Sequence, residues 1–260
     1  MATSSIKIAL CIPSYGDPKG KFVQSLLDMV VFTKDAVLNG PDGERLDVEI
    51  ATFIVSSSIL TESRHRLVAE AVLWGADFML WLDADHVFPK DTLCRLWARN
   101  VPVVGVNYAR RVTPTAPTAA KIITDDAQQD HKNLVYTTLE KAEANELEEV
   151  SHLGFGVCLI NMRVFDALQV QAEAEGKDSF LPLFEFKASP DGMGMIGEDV
   201  FFFRKLREAG VKVHCDHGLS WEVGHISEQI MTNAHAVNQR EAWVKSQQAQ
   251  ADRFKVEDDG

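Results

Sequence analysis

Two short runs constrain this chain more than anything else in it. Ile6–Ile12 (I-K-I-A-L-C-I) and Phe78–Leu82 (F-M-L-W-L) are almost wholly apolar, and they stop at Pro13 and at Asp83. A strand that is apolar on both alternating faces has to be covered on both, as happens in a parallel sheet with helices above and below it. The intervening segments fit that frame. Phe22–Leu38 carries Phe22, Leu26, Met29, Val30 and Val37 at near-helical spacing and stops at Asn39-Gly40. Val48–Ser56 reads as a second strand, and Thr61–Trp74 as a helix with Thr61 at its N-cap and Gly75 at its end. Pro89 to about Arg99 reads as a short helix, and Val101–Val106 as a fourth strand. The alternation β-α-β-α-β-α-β predicts an α/β fold, a doubly wound and mostly parallel sheet flanked by helices.

Beyond Val106 the pattern loosens. Arg110–Leu147 mixes turn residues with one short strand candidate, Leu134–Leu139, and Glu140–Glu149 reads as a solvated acidic surface run. Val157–Ile160 is a strand by composition and Val164–Glu175 a helix. Asp191–Gly197 is a glycine-bearing loop, and Glu198–Ala209 a helix closed by Gly210. Val211–Cys215 is the last strand. Thr232–Phe254 follows as a polar amphipathic helix, and the acidic end Glu257–Gly260 is expected to fray. At 260 residues, with no repeat and no linker, the expectation is one domain over 1–260.

Composition removes several function classes. Lys and Arg total 26 against 38 Asp and Glu, a formal charge of −12, which opposes long-range attraction to nucleic acid. Cys11, Cys94, Cys158 and Cys215 are scattered without a C-x-x-C, so they read as buried thiols in a reducing compartment rather than as disulfides or a zinc site. The N-terminus lacks a basic segment followed by an apolar core, and no apolar run approaches the roughly 20 residues of a membrane span. A soluble cytoplasmic protein without a membrane partner is expected. Gly16-Asp17-Pro18-Lys19-Gly20-Lys21 misses the Walker A spacing, with Phe22 where Ser or Thr belongs. No G-x-G-x-x-G follows the first strand, and Ser56-Ser57-Ser58 has no G-x-S-x-G around it.

Three features remain. Asp83-Ala84-Asp85 leaves an apolar strand, and in open α/β sheets ligands bind beyond the carboxyl ends of strands. Two aspartates one residue apart can share an oxygen-seeking divalent cation; they can equally be two solvated acids. A Ca²⁺ loop is excluded, because Phe88 and Cys94 stand where its Gly and Glu belong. Gly197-Glu198-Asp199 places two acids in the first turn of a helix, where the macrodipole favours acids whatever their role. His225 follows the last strand in Trp221-Glu222-Val223-Gly224-His225-Ile226, and by itself fits a core residue as well as a ligand.

In this order the pieces resemble a GT-A-fold, metal-dependent glycosyltransferase, close to the family-2-like enzymes. The matching segments are Ile12-Pro13-Ser14-Tyr15 and Ser63-Arg64, then Leu82-Asp83-Ala84-Asp85-His86 and Gly154-Phe155-Gly156-Val157-Cys158-Leu159-Ile160. Gly197-Glu198-Asp199 and His225 complete the set. Apart from Asp17, the first strand exit lacks the acid that would follow Pro13. The resemblance implies Mn²⁺ or Mg²⁺ on Asp85, with Asp83 on the metal or the ribose and His225 as a further ligand. A histidine in the set favours Mn²⁺. It further implies a UDP- or GDP-sugar donor held by Pro13, Ser14 and Tyr15, with Arg64 and Arg110 or Arg111 on the diphosphate. Asp199 would be the base for the acceptor hydroxyl in an inverting transfer, its pKa lowered by the helix start, and Glu198 would orient the acceptor. Residues 1–109 would form the nucleotide-binding half, 110–231 the acceptor half and 232–260 a C-terminal helix and tail. Thr113–Glu149 and Asp178–Gly194 would shape the acceptor site for a metabolite, a polysaccharide end or, against the net charge, a hydroxylated DNA base. The alternatives are a nucleotidyltransferase on a related fold, whose G-x-G-T-R loop is missing here, and a non-catalytic sugar- or nucleotide-binding module.

Overall fold

The computed structural model describes residues 4–40, 42–122, 133–189, 194–227 and 230–256. Part of the Asp191–Gly197 loop, part of the Thr113–Glu149 region and the Glu257–Gly260 end lie outside the described residues. The first half follows the expected order, with β1 (Ser4–Ser14), α1 (Gly20–Asp35), β2 (Leu46–Ser56), α2 (Leu60–Trp74) and β3 (Phe78–Leu82). Next come β4 (His86–Val87), α3 (Thr92–Ala98), β5 (Val103–Gly105), α4 (Leu139–Glu143) and β6 (Leu147–Val150). Then follow β7 (Val157–Asn161), α5 (Val164–Ala174), the short β8 (Lys187–Ala188) and β9 (Met195–Ile196), and α6 (Glu198–Glu208). The chain closes through β10 (Val213–Asp216), α7 (His217–Glu222), β11 (Gly224–Ile226), β12 (Ile230–Met231), α8 (Asn233–Asn238) and α9 (Arg240–Val256).

The main sheet has seven strands in the order β2-β1-β3-β7-β5-β10-β6. β1 pairs parallel with β2 and β3, and β5 parallel with β10. β7 runs antiparallel between β3 and β5, and β6 antiparallel along β10. Five strands therefore share one direction and two oppose it, a mixed α/β sheet that is mostly parallel and flanked by helices. The reversal at β7 leaves no trace in hydropathy, because a strand buried on both faces reads as apolar whichever way it runs.

Side-chain alternation divides the core into two layers. On β1 and β3, Ala9, Cys11, Met79 and Trp81 face α2, α5 and α6, meeting Leu67, Leu168, Phe202 and Phe203. Ile8, Leu10, Leu80 and Leu82 face the other way, onto Phe22 and Met29 of α1 and Leu93 and Leu96 of α3. That explains the unbroken apolar runs of the sequence. Cys11, Cys158 and Cys215 are buried and all four thiols are free; burial raises the pKa of each of the three. No helix among the described residues is long and apolar enough to cross a membrane.

Four expectations are corrected. Leu134–Leu139 forms no strand; Leu134 makes a single bridge to Ala120, and the Val135 carbonyl is taken by the side chain of Asn107. The acidic run is not merely solvated, since it contains α4 and the edge strand β6. There Glu148 pairs with the Lys141 ammonium and lies 3.0 Å from His217 Nε2. Helix α2 begins one residue before Thr61, with Ile59 at its N-cap. The C-terminal helix is two helices that meet at Gln239, whose Oε1 accepts a hydrogen bond from the Thr115 amide.

Asn107, just past β5, ties this irregular half to the sheet. Its Oδ1 accepts from the amides of Thr118 and Ala119 at 3.0 Å each, and its Nδ2 donates to the Val135 carbonyl and to Thr137 Oγ1. Its own amide donates to Ser220 Oγ, and its carbonyl accepts from Asn233 Nδ2. Asn107→Ala would strand several buried backbone groups at once, each worth roughly 1–3 kcal/mol. Equilibrium denaturation should show a loss of about 3 kcal/mol, and a loss below about 1 kcal/mol would mean water replaces the side chain.

Candidate functional site

The site forms where β3 ends. The Asp83 amide donates to the Gly156 carbonyl at 3.1 Å, and the chain turns through Asp85 into β4. β4 pairs antiparallel with β11 in a register that sets His86 opposite His225, and the Ile226 amide donates to the Asp85 carbonyl at 2.7 Å. This pairing, remote in sequence, draws Asp85, His86 and His225 into one cluster. Asp85 Oδ1 lies 3.1 Å from His86 Nδ1, and Asp85 Oδ2 lies 3.5 Å from His225 Nε2. His225 Nδ1 is 3.1 Å from the Ala109 carbonyl oxygen. An Nδ1–H makes that contact favourable, which leaves Nε2 as the ring atom that faces Asp85. Arg111 Nη1 stands 2.8 Å from Asp85 Oδ2. Burial would raise the Asp85 carboxyl, but His225 and His86 outweigh it and hold the group well below the usual carboxylate range. Burial likewise lowers the His86 pKa, against the opposing pull of Asp85.

The two imidazoles stack with centroids 4.3 Å apart and planes 17° from parallel, and the Tyr108 ring stands edge-on to both. This crowding demands glycine nearby. A Cβ on Gly156 would lie 2.5 Å from His86 Nε2 and 2.6 Å from Tyr108 Cε1, and one on Gly154 would collide with the Tyr108 hydroxyl. The Gly-Phe-Gly segment is therefore required by close approach of rings to backbone. Burial, followed by the charges of Asp83 and Asp199, raises the Tyr108 pKa well above its ordinary value.

Arg64, on α2, is 2% exposed and lies over the rings of Phe155 and Trp81. Its Nη2 is 3.3 Å from Asp83 Oδ1 and its Nε 3.2 Å from Glu198 Oε1, while Nη1 has no hydrogen-bond partner among the described residues. The expected diphosphate arm is thus a buried bridge, already committed to two carboxylates. Asp199 differs from expectation too. Its Oδ1 accepts from the Val200 amide at 2.7 Å at the start of α6, yet its carboxyl is pushed up to about 6, by burial first and then by the charge of Glu198. Desolvation and a like charge outweigh the helix start.

The remaining residues lie as follows. Pro13 and Ser14 end β1, where the Ser14 carbonyl accepts from the Ser57 amide and Ser14 Oγ donates to the Gly16 carbonyl. Tyr15 is 86% exposed. Arg110 lies over the Trp243 ring of α9, so of the two neighbouring arginines it is Arg111 that reaches Asp85. Tyr108 has no sequence signal of its own, and His86 has only its place beside Asp85; both owe their positions to pairing between distant strands.

Two other features compete for attention. Glu146, Glu148 and His217 also converge, but the Lys141 ammonium lies among them and pairs with both glutamates, so a cation there is already supplied by the chain. A cavity of about 840 Å³ opens at the opposite ends of the strands, lined by Ile6, Phe32, Trp97, Phe78 and Arg163. It is large, but among the described residues that line it Asp77 and Arg163 alone are charged.

The raised Asp199 carboxyl has a consequence for stability. Unfolded, it ionises at about 3.9; folded, at about 6. Below the lower value both states are protonated and nothing is lost. As pH rises through that window the unfolded state ionises first, and the folded state loses stability. Asp199→Asn should therefore melt like the wild type at about pH 4 and higher than it at about pH 7.5. A lower melting temperature at the higher pH would mean that the carboxylate stabilises the fold.

No family model and no curated protein sequence matches this chain. Among solved structures, A197 from STIV is similar with a TM-score of 0.51 and 15% identity, over 88% of this chain and 91% of that one. The catalytic domain of Drosophila beta1,4galactosyltransferase 7, in complex with xylobiose, gives 0.39 and 15%, over 81% of this chain and 65% of its own. GalNAc-T7 with UDP, GalNAc and Mn²⁺ gives 0.44 and 11%, over 85% of this chain and 43% of its own. The likeness to A197 is one of fold, and it extends over most of both chains.

Proposed function

We propose that this chain is a metal-dependent glycosyltransferase of the GT-A kind, moving a sugar from a nucleotide-sugar donor to an acceptor hydroxyl with inversion. One observation carries the reading. A single buried guanidinium, Arg64, joins Asp83, from the strand-end acids beside His225, to Glu198, the neighbour of Asp199. Groups suited to a cation and a group suited to accept a proton thus border one site at the carboxyl end of β3, where open α/β sheets place their ligands. The donors suit a divalent ion: Asp85 is held ionised, His225 offers Nε2, and Asp83 stands two residues away. A bound Mn²⁺ or Mg²⁺ would act there as a Lewis acid toward the leaving nucleoside diphosphate.

The chain's own groups would do the rest. Asp199 takes the proton of the acceptor hydroxyl as that oxygen bonds to the anomeric carbon. The bond from that carbon to the diphosphate oxygen breaks, and its electron pair stays with the diphosphate. With its pKa raised to about 6, Asp199 is ionised at neutral pH and still basic enough to share a proton in the transition state. Glu198, gripped by Arg64, keeps that carboxyl raised and borders the acceptor. Arg111, with its side chain 47% exposed, can leave Asp85 for the diphosphate. Pro13, Ser14 and Tyr15 would hold the donor nucleotide beyond the end of β1, and Arg110 adds positive field at Asp199.

Incubation with UDP- and GDP-sugars and Mn²⁺ should give slow metal-dependent donor hydrolysis, and faster release once an acceptor library supplies a substrate. Pyrophosphate formation from a sugar phosphate and a nucleoside triphosphate would instead identify a nucleotidyltransferase. Tight nucleotide binding without turnover would identify a binding module. Asp85→Ala should abolish the response to divalent ions and the turnover together, while melting within a few degrees of wild type. Asp199→Asn should leave nucleotide and metal affinity within a few-fold and lower turnover by about 10²–10⁴. In the wild type, turnover should rise as pH passes about 6, the ionisation of the base. A flat profile, or normal turnover in Asp199→Asn, removes Asp199 from the chemistry.

A further inference from the structure

His86 is completely buried, and among the described residues neither of its ring nitrogens has an aligned hydrogen-bond partner. Such a residue needs an explanation, because buried polar side chains are nearly always satisfied. Packing alone would be served better by Phe, which makes the same ring contacts with Tyr108 and His225 without two orphaned nitrogens. The contact with Asp85 accounts for one nitrogen at most. Nδ1 comes within 3.1 Å of Asp85 Oδ1 but is not aligned to make the bond.

We propose that His86 is a third protein ligand of the bound cation, making the centre one carboxylate and two imidazoles, which selects Mn²⁺, Fe²⁺, Co²⁺ or Zn²⁺ against Mg²⁺ and Ca²⁺. This rests on the metal-dependent reading above and goes beyond the Asp83, Asp85 and His225 set. Three observations carry it. The β4–β11 register places the two histidines directly across from each other, with their rings stacked at 4.3 Å. Each faces its own oxygen of Asp85, at 3.1 Å for His86 and 3.5 Å for His225. Adjacent ligands of an octahedral ion with bonds of about 2.1 Å stand about 3.0 Å apart, so a cation could be shared with little movement. Finally, glycine at 156 leaves the room this ring orientation needs. Imidazole suits transition metals, whereas Mg²⁺ and Ca²⁺ prefer all-oxygen sets, so a second nitrogen turns a mild preference into a selective one.

Arg111 enters as a competitor. Its guanidinium holds the Asp85 oxygen that faces His225, so a cation has to displace it. Metal binding is then expected to release Arg111 from the site.

The test uses Mn²⁺ alone, titrated into the full chain and followed by electron paramagnetic resonance, with pulsed measurements counting coordinated imidazole nitrogens. Two nitrogens are expected in the wild type and one in His86→Phe, which preserves the ring stack. Mn²⁺ affinity should fall at least about 10-fold in the variant. Mg²⁺ at 100-fold excess (roughly, for a nitrogen-bearing site) should displace Mn²⁺ from His86→Phe but not from the wild type. One nitrogen in the wild type overturns the proposal and leaves the metal reading standing. Two nitrogens retained in His86→Phe also overturn it. A wild type that binds no Mn²⁺ fails the metal reading itself. The wild-type count decides even where the melting curve shows that His86→Phe has not folded.

Discussion

A guanidinium buried between two carboxylates organises this molecule. Arg64 reaches from α2 to Asp83 at the end of β3 and to Glu198 at the start of α6, over a floor formed by Phe155 and Trp81. Removing such a charge from water is expensive, and the cost is offset only while both carboxylates stay in place. Burial would lower the Arg64 pKa, but Asp83, Glu198 and Asp199 more than compensate and raise it. The pairing therefore constrains all its members. A shift of α6 would leave Arg64 short of one partner inside the core, and so would a shift of the β3 turn. Two segments 134 residues apart are held in register by this cost, and the site lies between them.

Around that bridge the environment drives the acids apart. Asp85, beside two histidines, is kept ionised; Asp199, half-buried beside Glu198, is raised to about 6. Acids of one chemical type thereby acquire separate aptitudes, one for holding positive charge and the other for taking a proton, a division that recurs wherever neighbouring carboxyls have unequal surroundings. The difference comes from what each side chain faces. Aspartates at a strand end and at a helix start are both common outside any active site.

The second organising device is the small sheet of β4, β11 and β12, which stands beside the main one. Only two residue pairs join β4 to β11, yet they bring Asp85, His86 and His225 together. So short a ladder is not stable alone. It is held by Tyr108 against both histidines and by the Asn107 network, which ties the residues after β5 to α7 and α8. The irregular segments after β5 thus serve as a scaffold for the Asp85–His86–His225 cluster.

The sequence alone determined a good deal. Apolar runs at Ile6–Ile12 and Phe78–Leu82 appear as β1 and β3, and Gly75 and Gly210 follow helices with positive φ. Asp83 and Asp85 leave a strand end, and Glu198 and Asp199 open a helix. All of these are local properties, fixed by side-chain periodicity or backbone freedom within a few residues. Tertiary structure decided the rest: the reversed β7 in mid-sheet, β6 inside an acidic run, Arg111 rather than Arg110 on Asp85, Arg64 as a buried bridge and the raised Asp199 carboxyl. It also set His86 opposite His225. Pairing, desolvation and charge–charge energies depend on atoms that become neighbours only when distant parts of the chain meet, and no local pattern carries that information.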